Sequence, residues 1–204
     1  MENTSVKHSS EKTPVRRGKS ATAAPSRTPL DRTGWVEAAI STLATEGLAG
    51  LRVEVLAKRC GVTKGSFYWH FRDRQDLLEA VLEHWREGRI RDIEKQTAAP
   101  AGSERERLYY LIDIYSTRRN RKGMAIELAV RDWAQRDTQA AETVRAVDVY
   151  RLACTERLFL ACGLSPEAAQ SRSLLLSAYV FGQSLMFYES TEARQRIAER
   201  IVAD

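Results

Sequence analysis

A chain of 204 residues, 43% hydrophobic and 8% aromatic, holds enough apolar material for one or two domains with a proper core. Its formal charge of +5 permits a nucleic-acid partner without demanding one, and Cys60, Cys154 and Cys162 show neither metal-type nor redox-type spacing. No apolar run is long enough to span a bilayer and no leader-like segment is present, which argues against a membrane protein and makes a reducing cytoplasm the expected compartment.

Residues 1–29 are rich in Ser, Thr, Pro and Ala and carry Lys7, Lys12, Arg16, Arg17, Lys19 and Arg27 against only Glu2 and Glu11. Such a segment cannot bury enough apolar surface to offset its chain entropy, so a disordered basic extension is expected. It reads either as a solvated tail or as an arm reaching a minor groove. The first helix should start near Pro29 to Asp31 and stop at Gly47. Trp35, Val36, Ala39, Ile40, Leu43 and Ala44 give it a continuous apolar stripe.

Leu56, Ala57 and Cys60 mark one face of a short second helix, and Gly61 supplies a left-handed residue to end it. Thr63 is placed to N-cap a third helix by accepting the amide hydrogen of Ser66. The spacing predicts that this helix runs through Phe71, with Phe67 and Phe71 facing inward. Gly65, Ser66 and Trp69 occupy the opposite side, Lys64 and Tyr68 one flank and His70 the other. No acid lies between Gly61 and Phe71, and a helix N-terminus beside a lysine suits phosphate. Two short helices around a tight glycine turn form a helix-turn-helix, and its outer side suits DNA.

The run Thr63-Lys64-Gly65-Ser66-Phe67-Tyr68-Trp69-His70-Phe71, followed by Arg72-Asp73-Arg74-Gln75-Asp76-Leu77-Leu78, resembles the signature of the TetR (tetracycline-repressor-like) family of bacterial transcriptional regulators. The match is specific from about Trp35 to Trp85. The resemblance implies an all-α fold, with a three-helix DNA-binding head over residues 30–76. A larger helical domain over 77–204 would bind an effector and dimerise. It implies that Lys64 meets a base edge or phosphate, that Gly65 lets the backbone approach, and that Ser66 bonds a base edge. Thr63, Tyr68, His70 and Arg74 would hold phosphates. Trp69, commonly tyrosine in the family, would give one hydrogen bond or pack on sugar and thymine methyl. Where the family usually opens its first motif helix with Ser or Thr, this chain has Leu51-Arg52-Val53. Arg52 is either a substitute phosphate contact or the mark of a helix without a good N-cap.

Asp73 should N-cap a fourth helix, with Asp76 in its first turn and Leu77, Leu78, Val81, Leu82 and Trp85 on one face to about Arg91. The plainer role for Arg74 is an ion pair with Glu79 or Asp73. Residues 96–103 read as a loop, and Ser103 caps a helix to about Thr117. The Arg118–Lys122 cluster reads as a solvated connection. Helices are expected over 124–135, 138–162 (ending at Gly163) and from Pro166, capped by Ser165, to about 188. Residues 191–202 read as a short amphipathic helix or a fraying end.

A single short helix covers few base pairs, so a homodimer on a pseudo-palindromic operator is expected, paired in the family manner through 138–162 and 166–188. The effector is expected to be a largely apolar small molecule. Trp85, Tyr109, Tyr115, Met124, Leu128 and Trp133 are the large residues available to line its cavity, though such residues are more often plain core. The resemblance implies repression, relieved when the effector binds. A helix-turn-helix architectural or recombinase-accessory protein without an effector is the alternative. An enzyme lacks parts: His8, His70 and His84 have no partner at ligand spacing, and there is no glycine-rich phosphate loop or nucleophile elbow. No catalytic residue, metal or cofactor is expected.

Overall fold

The computed structural model describes residues 1, 30–98, 102–116, 121–186 and 190–202, without the side chains of Tyr115, Ser116, Arg121 and Arg194. The basic extension before residue 30 and the Arg118–Asn120 part of the basic cluster therefore lie outside the described residues. The described residues form helices joined by turns, with no strand among them.

Helix α1 (Arg32–Glu46) is capped by Asp31, whose carboxylate accepts the Gly34 amide hydrogen at 2.7 Å, and ends at Gly47. A 3-10 turn (Leu48–Gly50) leads to α2 (Val53–Cys60), which has no side-chain cap at Arg52. Gly61 ends α2 in the left-handed conformation expected for it (φ 65°, ψ 31°), where an L side chain would be strained. Thr63 opens α3 (Lys64–Phe67), and its hydroxyl accepts the Ser66 amide hydrogen at 3.3 Å.

Helix α3 is shorter than the expected span to Phe71. From Tyr68 to His70 the chain turns, and both the His70 and Phe71 amides donate to the Phe67 carbonyl. The turn is held from outside its own sequence. Arg32 donates to the His70 carbonyl at 2.8 Å and to Asp76 Oδ1 at 3.2 Å, and its guanidinium lies 4.2 Å from the Phe71 ring centre. Phe67 and Phe71 are both buried and stacked at 5.2 Å, with Trp35 edge-on to Phe67 at 5.4 Å. Each ring withdrawn from water contributes about 1.5–3 kcal/mol, so these rings fix the motif to α1.

Helix α4 (Arg74–Thr97) starts at its Asp73 cap and runs six residues past the expected Arg91 end. Buried Ile93 continues its inner face beyond the charged stretch around Gly88 that disguised it. Ser103 and Glu106 cap α5 (Glu104–Ser116) reciprocally, the Ser103 amide donating to Glu106 and the Glu106 amide to the Ser103 hydroxyl. Helix α6 (Arg121–Ala134) begins three residues before the expected Met124, so Arg121 and Lys122 are helical. Then come α7 (Thr138–Ala161), α8 (Pro166–Leu185) and α9 (Thr191–Val202).

Two cores result. One runs without a break from Trp35, Phe67 and Leu77 through Trp85 to Val130, Trp133 and Val147, joining the helix-turn-helix to α4, α6 and α7. The other gathers Leu108, Ile112, Phe159, Leu176, Val180 and Ile201 from α5, α7, α8 and α9.

Candidate nucleic-acid interface

Folding the two phenylalanines inward leaves the rest of the motif outward. Trp69 is 87% exposed and Tyr68 53%, unusual values for large aromatic rings in a short, firmly packed segment. Thr63, Lys64 and Gly65 are exposed, while Ser66 and His70 are half-buried. The Thr63 hydroxyl oxygen is used as the cap acceptor but its proton stays free, and the Ser66 hydroxyl donates to the Thr63 carbonyl at 2.9 Å.

Gly65 is informative because nothing inside the molecule calls for it. A methyl group placed there would meet only Thr63 Oγ1, at 3.7 Å, and its φ is ordinary. Glycine inside a helix costs about 0.5–1 kcal/mol relative to alanine. The room it leaves opens outward.

The electrostatics differ from the acid-free picture that residues 61–71 suggest. Lys64 Nζ lies 2.5 Å from Glu54 Oε1, ten residues earlier on α2. The hydrogen bond from Lys64 holds the Glu54 carboxyl below its usual range, and the same bond raises Lys64. Both ends are exposed, so an incoming phosphate can exchange for the carboxylate. A four-residue helix carries little macrodipole, which leaves Lys64, the hydroxyls and Trp69 as the chemistry of this surface.

Arg74 is exposed and is held otherwise than in the expected ion pair. Its Nε donates to the Leu51 carbonyl at 2.6 Å and its Nη2 to the Leu48 carbonyl at 3.2 Å, so it braces the turn before α2 instead of pairing with Glu79 or Asp73. Arg52 is exposed at the uncapped start of α2. Two residues that sequence reasoning passed over shape this face: Arg32, which holds the His70 turn, and Glu54, which holds Lys64. Neither has a local signal, since the Arg32 contacts cross 38 and 44 residues.

A cleft opens in the helical body between the two cores, with about 590 Å³ of empty space counting its mouth, and is pinched between side chains within. Of the five residues expected to line a cavity whose side chains are described, Met124 alone does so. Trp85 and Trp133 are buried in the core that joins head and body, Tyr109 sits partly exposed on α5, and half-buried Leu128 is absent from the lining. The Tyr115 side chain lies outside the described residues. Size was the wrong guide, because the largest side chains went to the cores. The cleft wall is made of aliphatics such as Ile93, Leu176 and Val180 together with charged Arg89, Glu127 and Arg151.

Glu127 is only 2% exposed. Its Oε1 accepts from Arg131 Nε at 3.1 Å, Arg131 Nη2 at 2.8 Å and Arg151 Nη2 at 3.1 Å. Asp148 completes the group, accepting from Arg131 at 2.5 and 2.8 Å and from Arg151 at 2.8 Å. Burial works against the Arg131 charge, but its bond to Asp148 and the field of Glu127 outweigh that and raise its pKa. Both guanidinia lie over Phe181, at 4.2 and 5.2 Å from the ring centre. Among the described residues there is no group of three or more His, Cys, Asp or Glu side chains able to hold a metal ion, and no helix long and apolar enough to cross a membrane.

Residues 36–81 match the family model for bacterial regulatory proteins of the tetR family. The tetracycline repressor protein class A from transposon 1721 of Escherichia coli is 42% identical over 48 residues, 24% of this chain and 22% of that protein. The transcriptional regulator AcrR of Shigella flexneri is 28% identical over 92 residues, 43% of this chain and 42% of its own length. These matches thus span about a fifth to two fifths of the relatives. Solved structures extend the likeness over the body. A Rhodococcus protein described as a TetR-family transcriptional regulator is 26% identical, covering 83% of this chain and 95% of its own at a TM-score of 0.62. A transcriptional regulator from Saccharomonospora viridis, crystallised with choline, shares the fold at 16% identity, over 84% of this chain and 94% of that one, with a TM-score of 0.69. Residues 36–81 thus carry the signature segment of the tetR family of bacterial regulatory proteins, and the fold shared with solved regulators continues through the body.

Proposed function

We propose that the protein is a homodimeric transcriptional repressor that binds a pseudo-palindromic operator and is released by a small-molecule effector. The observation that carries the DNA-binding part is the outward face of the motif. Exposed Trp69 and Tyr68 flank Gly65, a glycine with no internal reason to be one. A close-approaching duplex supplies that reason. Lys64, Thr63 and Ser66 are the groups for phosphate and base edges, with Arg52 and His70 alongside. Arg74 acts chiefly by fixing the turn.

Dimerisation is supported by an uncovered stripe on α8, where Leu174, Leu175, Ala178, Gly182 and Leu185 are all exposed, next to exposed Val149 and Leu160 on α7. Leu174 alone is 60% exposed, and a methyl on Gly182 would meet nothing, so a second copy can approach closely. We assign residues 30–76 to the DNA-binding head, 77–204 to effector binding and dimerisation, and 1–29 to a basic extension. The unbroken core through Trp35, Trp85 and Trp133 would carry a shift in the body to the head. For release, the effector must favour the arrangement that DNA does not, and the coupling is reciprocal.

Selection of bound sequences from random double-stranded DNA tests the proposal. A recovered palindrome with two equal half-sites supports a dimeric operator, and recovery of no preferred sequence overturns it. An architectural DNA-binding protein would need no effector cleft. It would give bent or shape-selected DNA with no compound able to dissociate it.

A further inference from the structure

The cleft in the body contains a hydrogen-bonding group without a partner. Glu127 lines the cleft, and its Oε2 is buried and accepts no hydrogen bond, while Oε1 is saturated by three guanidinium N–H groups. A buried acceptor left empty is costly, and native interiors seldom tolerate one without a reason. The charges around it are already balanced. Two guanidinia, Arg131 and Arg151, face two carboxylates, Glu127 and Asp148, and Arg89 is closed onto Asp92 at 2.5 Å. An extra charge of either sign would be buried without a counterion, which is heavily penalised at such depth. The remaining wall is apolar, from Ile93, Leu111, Met124, Leu176 and Val180.

We propose that the cleft takes an uncharged amphiphile whose polar end donates an N–H or O–H hydrogen bond to Glu127 Oε2 and whose apolar body lies along α4 and α8. This rests on the effector-regulated reading above and narrows it to a ligand class. A carboxylate-headed amphiphile would set its oxygens against the vacant acceptor and is rejected. An ammonium head satisfies the acceptor but leaves a net charge in the balanced group, so it binds less well than a neutral donor of the same length. Glu127 thus selects for a donor, and the two arginines fix which oxygen does so.

The pinning of Oε1 gives a distinctive test. In Glu127→Gln the amide oxygen is held at the Oε1 position by the same guanidinium donors, so the amide nitrogen takes the place of Oε2 and the cleft presents a donor instead of an acceptor. The full-length protein is titrated calorimetrically with octanamide, methyl octanoate, octanoate and octylammonium. Wild type is expected to bind octanamide at least about tenfold more tightly than methyl octanoate, an acceptor-only probe, and more tightly than either charged probe. Glu127→Gln is expected to remove most of the octanamide preference, since both neutral probes carry a carbonyl that can accept from the new amide N–H. If that variant does not fold, the wild-type ranking still decides, together with Val180→Trp, which fills the cleft while keeping Glu127 and should abolish binding of all four.

Equal binding of the two neutral probes by wild type, its preference for either charged probe, or an undiminished octanamide preference in a folded Glu127→Gln overturns the inference. Operator binding is measured separately without any probe. Loss of this ligand preference in a protein that still selects a palindrome rejects the inference alone. Failure to select DNA rejects the regulatory reading, whatever binds the cleft.

Discussion

The head and the body each contain a carboxylate–cation contact at similar distance, Lys64–Glu54 at 2.5 Å and Arg131–Glu127 at 2.8 Å, in opposite surroundings. The first pair is exposed at both ends, and the second is sunk between helices with Glu127 almost fully covered. In water the carboxylate is an exchangeable partner, which suits a lysine that must trade it for phosphate. In the interior the same chemistry is a fixed scaffold, since covered Glu127 has no water to return to. Similar contacts therefore serve a surface that must let go and a cleft that must keep its shape.

The largest consequence of that contrast falls on Glu127. Replacing it by Ala leaves Asp148 as the carboxylate shared by the two guanidinia of Arg131 and Arg151, one positive charge in excess, and should destabilise the fold by about 3–5 kcal/mol. Urea denaturation checks this, and a loss below about 1 kcal/mol would mean the buried group relaxes toward water. In the head, Lys64→Ala should weaken operator binding roughly tenfold without altering stability, and Tyr68→Phe should weaken it by a smaller factor. Unchanged affinity in either variant removes that residue from the contact surface.

What was legible in the sequence follows the range of the interactions. Thr63, Asp73, Ser103 and Ser165 were each recognisable as caps because a cap reaches only three residues ahead. Inward Phe67 and Phe71 followed from helical spacing alone. The Arg32 clamp on the His70 carbonyl, the Arg74 brace and the Arg131–Asp148 and Arg151–Glu127 contacts join residues 17 to 44 apart, and no local pattern marks them. The recognition turn was expected to be longer because its pattern continues while its backbone tightens under Arg32. The cleft was missed because its polar residues resemble a solvated helix face until α6, α7 and α8 close around them.

A smaller effect concerns how the clamp in the head responds to acid. The Arg72 amide, and to a lesser degree Arg32, hold the Asp76 carboxyl below its ordinary value of 3.8. A carboxyl depressed in the folded state stabilises above its unfolded pKa, and that stabilisation disappears as pH falls through the lower folded value. The melting temperatures of wild type and Asp76→Asn should therefore differ above about pH 5 and converge as pH falls below about 4. A gap that stays constant through this range would mean that shape, not charge, is what Asp76 contributes.

The smallest effect bears most directly on the exchangeable pair. Among the described residues Glu54 is the one acid in contact with Lys64, so Glu54→Gln keeps the size of the side chain while removing the charge that phosphate must displace. Lys64 then enters the complex without first giving up a partner. Operator affinity should rise a few-fold at low salt, and the advantage should shrink as added ions screen the pair in wild type. Titrating operator binding from about 50 to 200 mM salt in both proteins separates the possibilities. If Lys64 stays on α2 in the complex, wild type and variant will give superimposable curves, and the lysine then acts in folding the turn and not in holding DNA. If instead the curves separate at low salt and meet at high salt, Glu54 is a competitor built into the surface, and it limits binding to duplexes that offer Lys64 a better-placed phosphate.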